Sequence, residues 1–202
     1  MKHGILGTGA VARTIGARLT ELGHDVVYGS RTGGQPECGT FAEAALYGDV
    51  VWCCVRGVHA LDALQSIGKA PFDGKILIDQ SNPYLYQDGH CMLDPRWTGS
   101  TSLGEKVQAF LPNTRVVKTL NYLHYYLMTH PAELRESATG FYCGNDAEAK
   151  AFVAGLLRDF GWQDTLDLGG IEMSRYTEML GAFWPAALNA TGNMQWAFRL
   201  VR

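Results

Sequence analysis

The chain has 202 residues, 47% of them hydrophobic and 18% charged, so it can fill a sizeable core and is not intrinsically disordered. Because domains average about 150 residues, the length predicts one domain with at most a small appendix. A formal net charge of −3 gives no positive field for a nucleic-acid backbone. No apolar run approaches the roughly 20 residues that span a bilayer, and the first residues lack a signal-peptide pattern. The 5 cysteines form no C-x-x-C pair, which fits a reducing compartment. We therefore expect a cytoplasmic protein with no nucleic-acid or membrane partner.

Short apolar runs alternate with amphipathic stretches along the chain. The runs predict strands at 4–6, 25–28, 50–55, 75–79, 115–120, 140–143 and 165–168. Helical spacing predicts helices at 10–22, 41–47, 59–67, 102–110, 147–160 and 171–190, the last with Pro185 expected to kink it. This alternation predicts an α/β fold with a doubly wound, mostly parallel sheet, the Rossmann arrangement. We assign 1–168 to that domain and 169–202 to a C-terminal helix and tail that close a ligand site or a dimer contact.

Two local features complete this outline. Residues 84–100 show no clear period and contain Gly, Asp and Pro, so we predict a long loop there, of the kind that is often functional. Cys53 and Cys54 adjoin within an apolar strand and should point to opposite faces of the sheet as small buried side chains.

The first strand leads into a glycine-rich turn that opens the first helix. Gly7, Thr8, Gly9, Ala10, Val11 and Ala12 match G-x-G-x-x-A in the required strand–turn–helix context. Gly7 suits the tight turn, and Gly9 lets the backbone approach a pyrophosphate. The amides of Gly9, Ala10 and Val11 lie at the positive end of the helix, where an anion is stabilised. The motif predicts dinucleotide binding.

The end of the second strand distinguishes NADP from NAD. NAD-binding proteins place a carboxylate there, whereas this chain has Ser30 and Arg31, with Asp25 at the opposite end of the strand. A hydroxyl beside a guanidinium suits the 2′-phosphate of NADP, and Thr8 adds a second hydroxyl. We therefore predict NADP as the cofactor, the alternative for Arg31 being a solvated surface side chain.

Polar residues also follow later strands, at the edge where a doubly wound sheet binds its ligands. Val55 and Arg56, together with Asn82 and Pro83, are expected on the cofactor. For Asn82 the turn before proline is the first interpretation and a ligand contact the second. Asn121 follows a third strand, and its amide suits a carboxamide or a ring carbonyl.

Four segments resemble the NADPH-dependent oxidoreductases of the deazaflavin coenzyme F420. They are GILGTGAVARTIGARLTELGHDVVYGSR, GKILIDQSNPY, TSLGEKVQAFLPNTRVVKTLN and GGIEMSRYTEML, and together they extend over nearly the whole length. The cytosolic domain of the STEAP metalloreductases and, more distantly, pyrroline-5-carboxylate reductase are related modules. Two departures stand out: the family's lysine beyond the second strand is replaced by Gly33-Gly34-Gln35, and its Val-Pro by Val55-Arg56.

The resemblance implies hydride transfer between NADPH and a flavin-like ring, commonly by a homodimer, with the phosphate grip at Thr8, Ser30 and Arg31. It implies coenzyme F420 or a flavin as co-substrate, and a small-molecule acceptor as partner. No metal and no catalytic residue is assigned, because such a reaction depends on positioning rather than on acid–base groups. Arg175 and Glu178 match the family's Arg and Glu, although an ion pair within their helix explains them equally well.

We expect the acceptor at Asn121, Tyr122 and His124, where an aromatic cluster, also flanked by His130, either stacks on a planar ring or packs as core. Two other functions stay open. An imine or carbonyl reductase would need a proton donor, with His59, Tyr122 or His124 to choose from. A catalytically silent NADP sensor would bind the cofactor without turnover.

Overall fold

A computed structural model describes residues 1–34, 38–87, 90–97 and 99–202. The strands are β1 (Lys2–Leu6), β2 (Asp25–Ser30), β3 (Cys38–Thr40), β4 (Val50–Cys53), β5 (Ile76–Asp79), β6 (Tyr84–Gln87), β7 (His90–Leu93), β8 (Arg115–Thr119), β9 (Thr139–Gly144) and β10 (Asp164–Asp167). The α-helices are α1 (Ala10–Glu21), α2 (Phe41–Tyr47), α3 (Gly57–Ile67), α4 (Leu103–Phe110), α5 (Tyr125–Thr129), α6 (Ala147–Asp159) and α7 (Ser174–Thr191).

Eight of these strands form one sheet in the order β10-β9-β8-β5-β4-β1-β2-β3. All neighbouring pairs are parallel except β8 and β9, which run antiparallel. The strand order reverses beside β1, because the chain builds β2 and β3 on one side before it crosses to β4 on the other. This confirms the predicted doubly wound, mostly parallel sheet, and it places the switch point between β1 and β4.

The sheet is covered on both faces, as a parallel sheet requires. All four residues of β4 are buried. Trp52 lies in the core on the face of α1, α5 and α6, whereas Cys53 lies in the core on the face of α2, α3 and α4. Cys54 packs against the same face as Trp52, so the adjacent cysteines point to opposite faces as predicted. All five cysteines are free.

Residues 84–100 are not the plain loop that we expected. Tyr84–Gln87 pairs antiparallel with His90–Leu93, and a 3-10 turn follows at Pro95–Trp97. The sequence signal was Asp88-Gly89 between two runs of strand-forming residues, a dipeptide typical of tight hairpins, although these two residues lie outside the described part of the chain. The hairpin is joined to the site by the Asp94 amide, which donates to the Pro83 carbonyl oxygen at 2.7 Å.

Helix α7 runs through Pro185, and the tail behind it returns to the sheet. The Thr139 amide donates to the Phe198 carbonyl oxygen, and the Leu200 amide donates to the Thr139 hydroxyl. Trp184 stacks on His124 and on Trp196 of the tail. None of the helices in the described ranges is long and apolar enough to cross a membrane.

Candidate functional site at the carboxyl edge of the sheet

The glycine-rich turn is built as an anion cradle. Gly7 has φ 131°, a left-handed value that favours glycine, and a Cβ there would lie 2.9 Å from the Cys54 carbonyl oxygen. A Cβ at Gly9 would meet no heavy atom within 4 Å, so the backbone lies open. Gly9 caps α1 without a side-chain hydrogen bond, which leaves the first amides of the helix for a ligand. These features fit the pyrophosphate of a dinucleotide.

The residues predicted to grip the 2′-phosphate end the next strand. The Ser30 hydroxyl accepts a hydrogen bond from the Gly33 amide at 2.9 Å, which shapes the turn and leaves the hydroxyl proton free to donate. Arg31 is exposed and makes no hydrogen bond or ion pair with the described residues. Gln35, the last residue of the segment that replaces the family's lysine, lies outside the described residues. The geometry fits a phosphate at this end of the turn.

A pocket of about 200 Å³, which we call the turn pocket, lies between the glycine turn and the ends of β4 and β5. Its lining residues are Val11, Cys54, Val55, Arg56, Gly57, Val58, Gln80, Ser81, Asn82, Tyr84 and Tyr86. Four residues predicted to contact the cofactor therefore meet in one place, namely Val11, Val55, Arg56 and Asn82. Pro83 is buried and does not line the pocket. Its carbonyl oxygen accepts the hydrogen bond from the Asp94 amide of the hairpin segment.

A larger cleft of about 670 Å³, the α7 cleft, adjoins the turn pocket. Its lining residues are Val11, Gln80, Asn82, Tyr84, Tyr86, Cys91, Asn121, Tyr122, Leu123, His124, Tyr125, Met128, Gly181, Ala182, Trp184, Pro185, Ala186, Leu188 and Asn189. All three residues that we expected on the acceptor, Asn121, Tyr122 and His124, line it. Five residues line both cavities, so the two cavities adjoin along a shared set of side chains.

The three candidate proton donors lie in different environments. His59 is exposed on α3 and lines neither cavity. The Tyr122 hydroxyl is buried and accepts a hydrogen bond from the Phe141 amide, and burial raises the pKa of the phenol. His124 lines the α7 cleft, and burial lowers its pKa, which favours the neutral ring. The structure therefore excludes His59 from this site and leaves His124 as the titratable imidazole in the cleft.

A buried ionic cluster, which we call the Lys118 cluster, supports the floor of the site. The Lys118 ammonium contacts a carboxylate oxygen of Asp79 at 2.8 Å and one of Glu178 at 3.0 Å, and all three side chains are almost fully buried. Burial alone would lower the pKa of Lys118, but the charges of Asp79 and Glu178 outweigh it and raise the pKa. The lysine is therefore charged at every physiological pH.

This cluster also joins the elements around the site. Lys118 donates to the Ser81 carbonyl oxygen at 2.5 Å, and Asp79 accepts from the Ser81 amide and hydroxyl. Glu178 accepts from the amides of Leu103 and Gly104 at the start of α4. The cluster thus fixes residue 81, the start of α4 and helix α7 relative to one another.

Asn82 and Asn121 form a reciprocal pair across the ends of β5 and β8. The Asn82 side-chain nitrogen donates to the Asn121 carbonyl oxygen at 2.5 Å, and the Asn121 side-chain nitrogen donates to Asn82 Oδ1 at 2.8 Å. Leu120, just before Asn121, has φ 59°, the one positive φ of a non-glycine residue in the described ranges. Such strain persists where the surroundings determine the backbone conformation, and it is often found at functional sites.

The ion pair suggested between Arg175 and Glu178 does not form. The Arg175 guanidinium instead binds both oxygens of Glu105 on α4, at 2.5 and 2.8 Å, and Glu178 joins Lys118. Helical spacing brings residues 175 and 178 near one another, but tertiary partners on α4 and β8 take both charges. Arg175 and Glu178 therefore anchor α7 beside the cleft.

Sequence reasoning missed two residues at the junction of the cavities, Gln80 and Tyr84. Both line the turn pocket and the α7 cleft, and each carries a buried polar atom without a hydrogen-bond partner within the described part of the chain, Gln80 Nε2 and the Tyr84 hydroxyl. Their position directly after strand β5, on either side of Ser81-Asn82-Pro83, was the available signal. A Cβ at Gly181 would overlap with the Tyr84 hydroxyl, so glycine lets α7 approach the hairpin here.

Comparison with known proteins agrees with this geometry. Residues 2–83 match the family model described as NADP oxidoreductase, coenzyme F420-dependent. A candidate F420-dependent NADP reductase from Arthrobacter sp. fb24 superimposes with a TM-score of 0.94 at 35% identity, covering 100% of both chains. Metalloreductase STEAP3 from Rattus norvegicus is 31% identical over 89% of this chain, which spans 36% of that protein's length.

A more distant structure shares the fold alone. Pyrroline carboxylate reductase from Plasmodium falciparum, with NADP bound, has a TM-score of 0.60 at 15% identity, over 94% of this chain and 65% of that one. Since the Arthrobacter protein is related over its full length, family membership rests on that match and on the family model. The chain belongs to the coenzyme F420-dependent NADP oxidoreductases, as its motifs predicted.

Proposed function

We propose that this protein transfers hydride between NADPH and a flat, flavin-like ring, a deazaflavin or a flavin. The observation that carries the proposal is that the turn pocket and the α7 cleft adjoin and share five lining residues. A nicotinamide in the turn pocket would face the cleft directly. The cleft's volume of about 670 Å³ lies in the range of sites that hold ligands of several rings.

The residues around the cleft supply position rather than acid–base chemistry. Trp184 and Tyr125 place aromatic surface along it, and burial lowers the pKa of His124, which favours its neutral ring. Bound NADPH would supply the hydride, and the protein would hold the two reacting rings together and exclude water. The Lys118 cluster fixes Ser81 and α7, so the walls of the cleft stay in place.

The cofactor end of the proposal is a preference for NADP over NAD. Three groups are available at the carboxyl ends of β1 and β2: the Arg31 guanidinium, which has no partner among the described residues, the Ser30 hydroxyl proton and Thr8. Residues 30–34, at and after the end of β2, include no carboxylate that would repel a 2′-phosphate. Charge-assisted bonds from a guanidinium favour a phosphate over a ribose hydroxyl.

Label transfer tests the reaction. NADPH deuterated at C4 is mixed anaerobically with an oxidised deazaflavin or with FMN, and oxidation is followed at the nicotinamide absorbance band. With a deazaflavin we expect rapid oxidation and deuterium on the product carbon, where it does not exchange. Tight NADPH binding without turnover of any ring acceptor would instead support the silent sensor.

Reduction of an imine or carbonyl metabolite is the second candidate, because His124 lines the cleft. That reaction needs a proton, so His124→Ala should slow it by about 10²-fold or more, a far larger loss than for ring reduction. His59→Ala, an exposed histidine away from both cavities, is the matched control. Turnover of a cyclic imine faster than of any flavin-like ring would favour this alternative.

We also propose that the protein is a homodimer through the outer face of α7. Tyr176, Met179 and Phe183 recur at helical spacing on this face and are 58%, 44% and 54% exposed. A helix with apolar side chains on its solvent side is typical of an interface. Light scattering after size exclusion should give twice the chain mass, and Phe183→Glu should give the single mass.

A further inference from the structure

Two buried amides line the α7 cleft, and one of them, Gln80, also lines the turn pocket. Gln80 follows β5 and Asn121 follows β8, which are neighbouring parallel strands, so both side chains emerge at the same edge of the sheet. They are only 6% and 4% exposed, and both line the α7 cleft. Each has one polar atom without a partner within the described ranges, Gln80 Nε2 and Asn121 Oδ1.

Backbone geometry determines which end of Asn121 is free. The Asn121 carbonyl oxygen can only accept, so the Asn82 atom 2.5 Å from it must be the amide nitrogen. Asn82 then turns its oxygen toward Asn121, and the Asn121 atom 2.8 Å from that oxygen must also be the nitrogen. The free atom of Asn121 is therefore its oxygen, a hydrogen-bond acceptor.

A thiol determines the orientation of Gln80. Cys54 Sγ lies 3.1 Å from Gln80 Oε1. Burial raises the pKa of the Cys54 thiol well above its ordinary value, so the thiol keeps its proton and donates. Because sulfur is a weak acceptor, the arrangement with the amide oxygen toward the thiol is favoured. The free atom of Gln80 is therefore its nitrogen, a hydrogen-bond donor.

We propose that Gln80 and Asn121 form a specificity-determining pair that reads an amide edge of a ligand. The ligand would present a carbonyl oxygen to Gln80 Nε2 and an N–H to Asn121 Oδ1. Buried polar atoms in folded proteins are nearly always paired, and two complementary unpaired atoms beside one cleft indicate a ligand that completes them. The strained backbone at Leu120, which places Asn121, supports the same reading.

This inference rests on the proposed function, and two of its ligands carry such an edge. The nicotinamide carboxamide is one, and the ring imide of a flavin or deazaflavin is the other. The shared chemistry is a C=O beside an N–H. Both residues line the α7 cleft, and Gln80 also lines the turn pocket, so the position of the pair fits either ligand. Separate experiments on the nicotinamide cofactor and on the ring acceptor distinguish the two.

Analogues that lack the N–H test the pair in the unaltered protein. The 3-acetylpyridine analogue of NADP keeps the carbonyl but replaces the amide NH₂ by methyl, and its binding is compared with that of NADP by calorimetry. FMN methylated at ring N3 is compared with FMN as acceptor by kcat/KM. We expect one of the two analogues to lose about tenfold or more, because its partner Asn121 Oδ1 would be left unpaired. Discrimination against neither analogue would overturn the proposal.

Variants then assign the discrimination to the two amides. Asn121→Leu should erase the preference for the parent compound over its methylated or acetyl analogue. Gln80→Met should weaken parent and analogue alike by about tenfold, since both keep the carbonyl. Gln65→Met, an exposed glutamine on α3, is the matched control and should change neither. Preserved discrimination in folded Asn121→Leu would also overturn the proposal.

The binding measurement separates this inference from the proposed function. If no flavin-like acceptor is turned over, the proposed function fails, whereas the comparison of NADP with its acetylpyridine analogue still reports on Asn121. In that case equal binding of the two cofactors refutes the amide pair, and weaker binding of the analogue assigns the pair to the carboxamide.

Discussion

Two polar clusters lie side by side at the carboxyl edge of the sheet, and they differ in whether their hydrogen bonds are complete. In the Lys118 cluster the ammonium and both carboxylates are paired, and even the leftover carboxylate oxygens accept backbone amides. In the second cluster, which consists of Gln80, Tyr84 and Asn121, each side chain has a buried polar atom without a partner within the described ranges. Gln80 adjoins Asp79 in sequence, so the contrast arises between neighbours.

The difference separates a scaffold from a site. A buried charge without a partner is very unfavourable, so a complete ionic cluster is what a fold retains when it needs to fix several elements together. An incomplete amide or hydroxyl is tolerable at a smaller cost, and a bound ligand can remove that cost. Substitutions should therefore reduce stability in the first cluster and reduce ligand recognition in the second.

Lys118→Met is expected to have the largest effect on stability. It leaves Asp79 and Glu178 as uncompensated buried carboxylates, which should lower the free energy of unfolding by about 3–5 kcal/mol. Urea denaturation followed by circular dichroism measures it.

Lys150→Met is the matched control, because Lys150 pairs with an Asp167 side chain that is 41% exposed. We expect a loss below about 1 kcal/mol there, since solvent screens such pairs. Equal losses in the two variants would show that the Lys118 cluster is not the scaffold described above.

His3 is a buried residue away from the candidate site that also has a polar atom without a partner in the described ranges, and its protonation affects stability. It lies at the start of β1, near the opposite edge of the sheet. Its Nδ1 accepts from the Trp52 indole at 3.0 Å, and its Nε2 has no partner among the described residues. Burial, together with the nearby charge of His24, lowers its pKa from 6.5 to about 4. The folded state therefore binds fewer protons than the unfolded state between these pH values, and stability falls as the pH drops through this window.

The expected loss from pH 7 to pH 4 is about 3 kcal/mol from this residue. His3→Gln provides the comparison, since a glutamine oxygen accepts from Trp52 and does not titrate. The difference between wild-type and His3→Gln unfolding free energies should shrink or reverse as the pH falls. A difference that is constant with pH would mean that His3 is not buried in its neutral form.

Much of the fold was predictable because its signals are local. The glycine turn, the alternation of apolar runs and helices, and the position of Ser30 and Arg31 each depend on residues within one βαβ unit. The hairpin of residues 84–87 and 90–93 carried an equally local signal, Asp88-Gly89, which the absence of a clear period over the wider segment obscured.

The Lys118 cluster was not predictable in this way. Its lysine stands within an apolar strand, and its partners lie 39 residues before it and on a helix near the end of the chain. The spacing of Arg175 and Glu178 does not show that Arg175 pairs with Glu105 and Glu178 with Lys118, residues distant in sequence. Likewise, the free ends of Gln80 and Asn121 follow from contacts with Cys54 and Asn82 that only the folded chain brings together.

Arg31→Ala extends the comparison to an exposed group that also lacks a partner in the described ranges. If Arg31 binds the 2′-phosphate, its loss should raise the Kd for NADPH by about tenfold to hundredfold, since hydrogen bonds to charged groups contribute about 1.5–3 kcal/mol. The Kd for NADH should change little, and protein fluorescence measures both. Arg135→Ala, an exposed arginine away from the glycine turn, is the control. An equal rise for NADPH and NADH would contradict the assignment.

Tyr84→Phe is the smallest change and separates the two clusters most directly. The hydroxyl is buried and unpartnered within the described ranges, and burial raises the pKa of the phenol, so it remains a neutral group with unsatisfied hydrogen-bonding capacity. Removing it should leave the free energy of unfolding unchanged or raise it by about 1 kcal/mol, because the hydroxyl makes no hydrogen bond to the described residues that the substitution could remove. The same variant should lower kcat/KM for a ring acceptor if a ligand completes the hydroxyl. Urea denaturation measures the free energy of unfolding, and acceptor kinetics measure kcat/KM, both on one preparation. A clear loss of stability would place Tyr84 with the scaffold. Removing a hydroxyl lowers the free energy of unfolding of the ligand-free protein only if that hydroxyl already makes a hydrogen bond there.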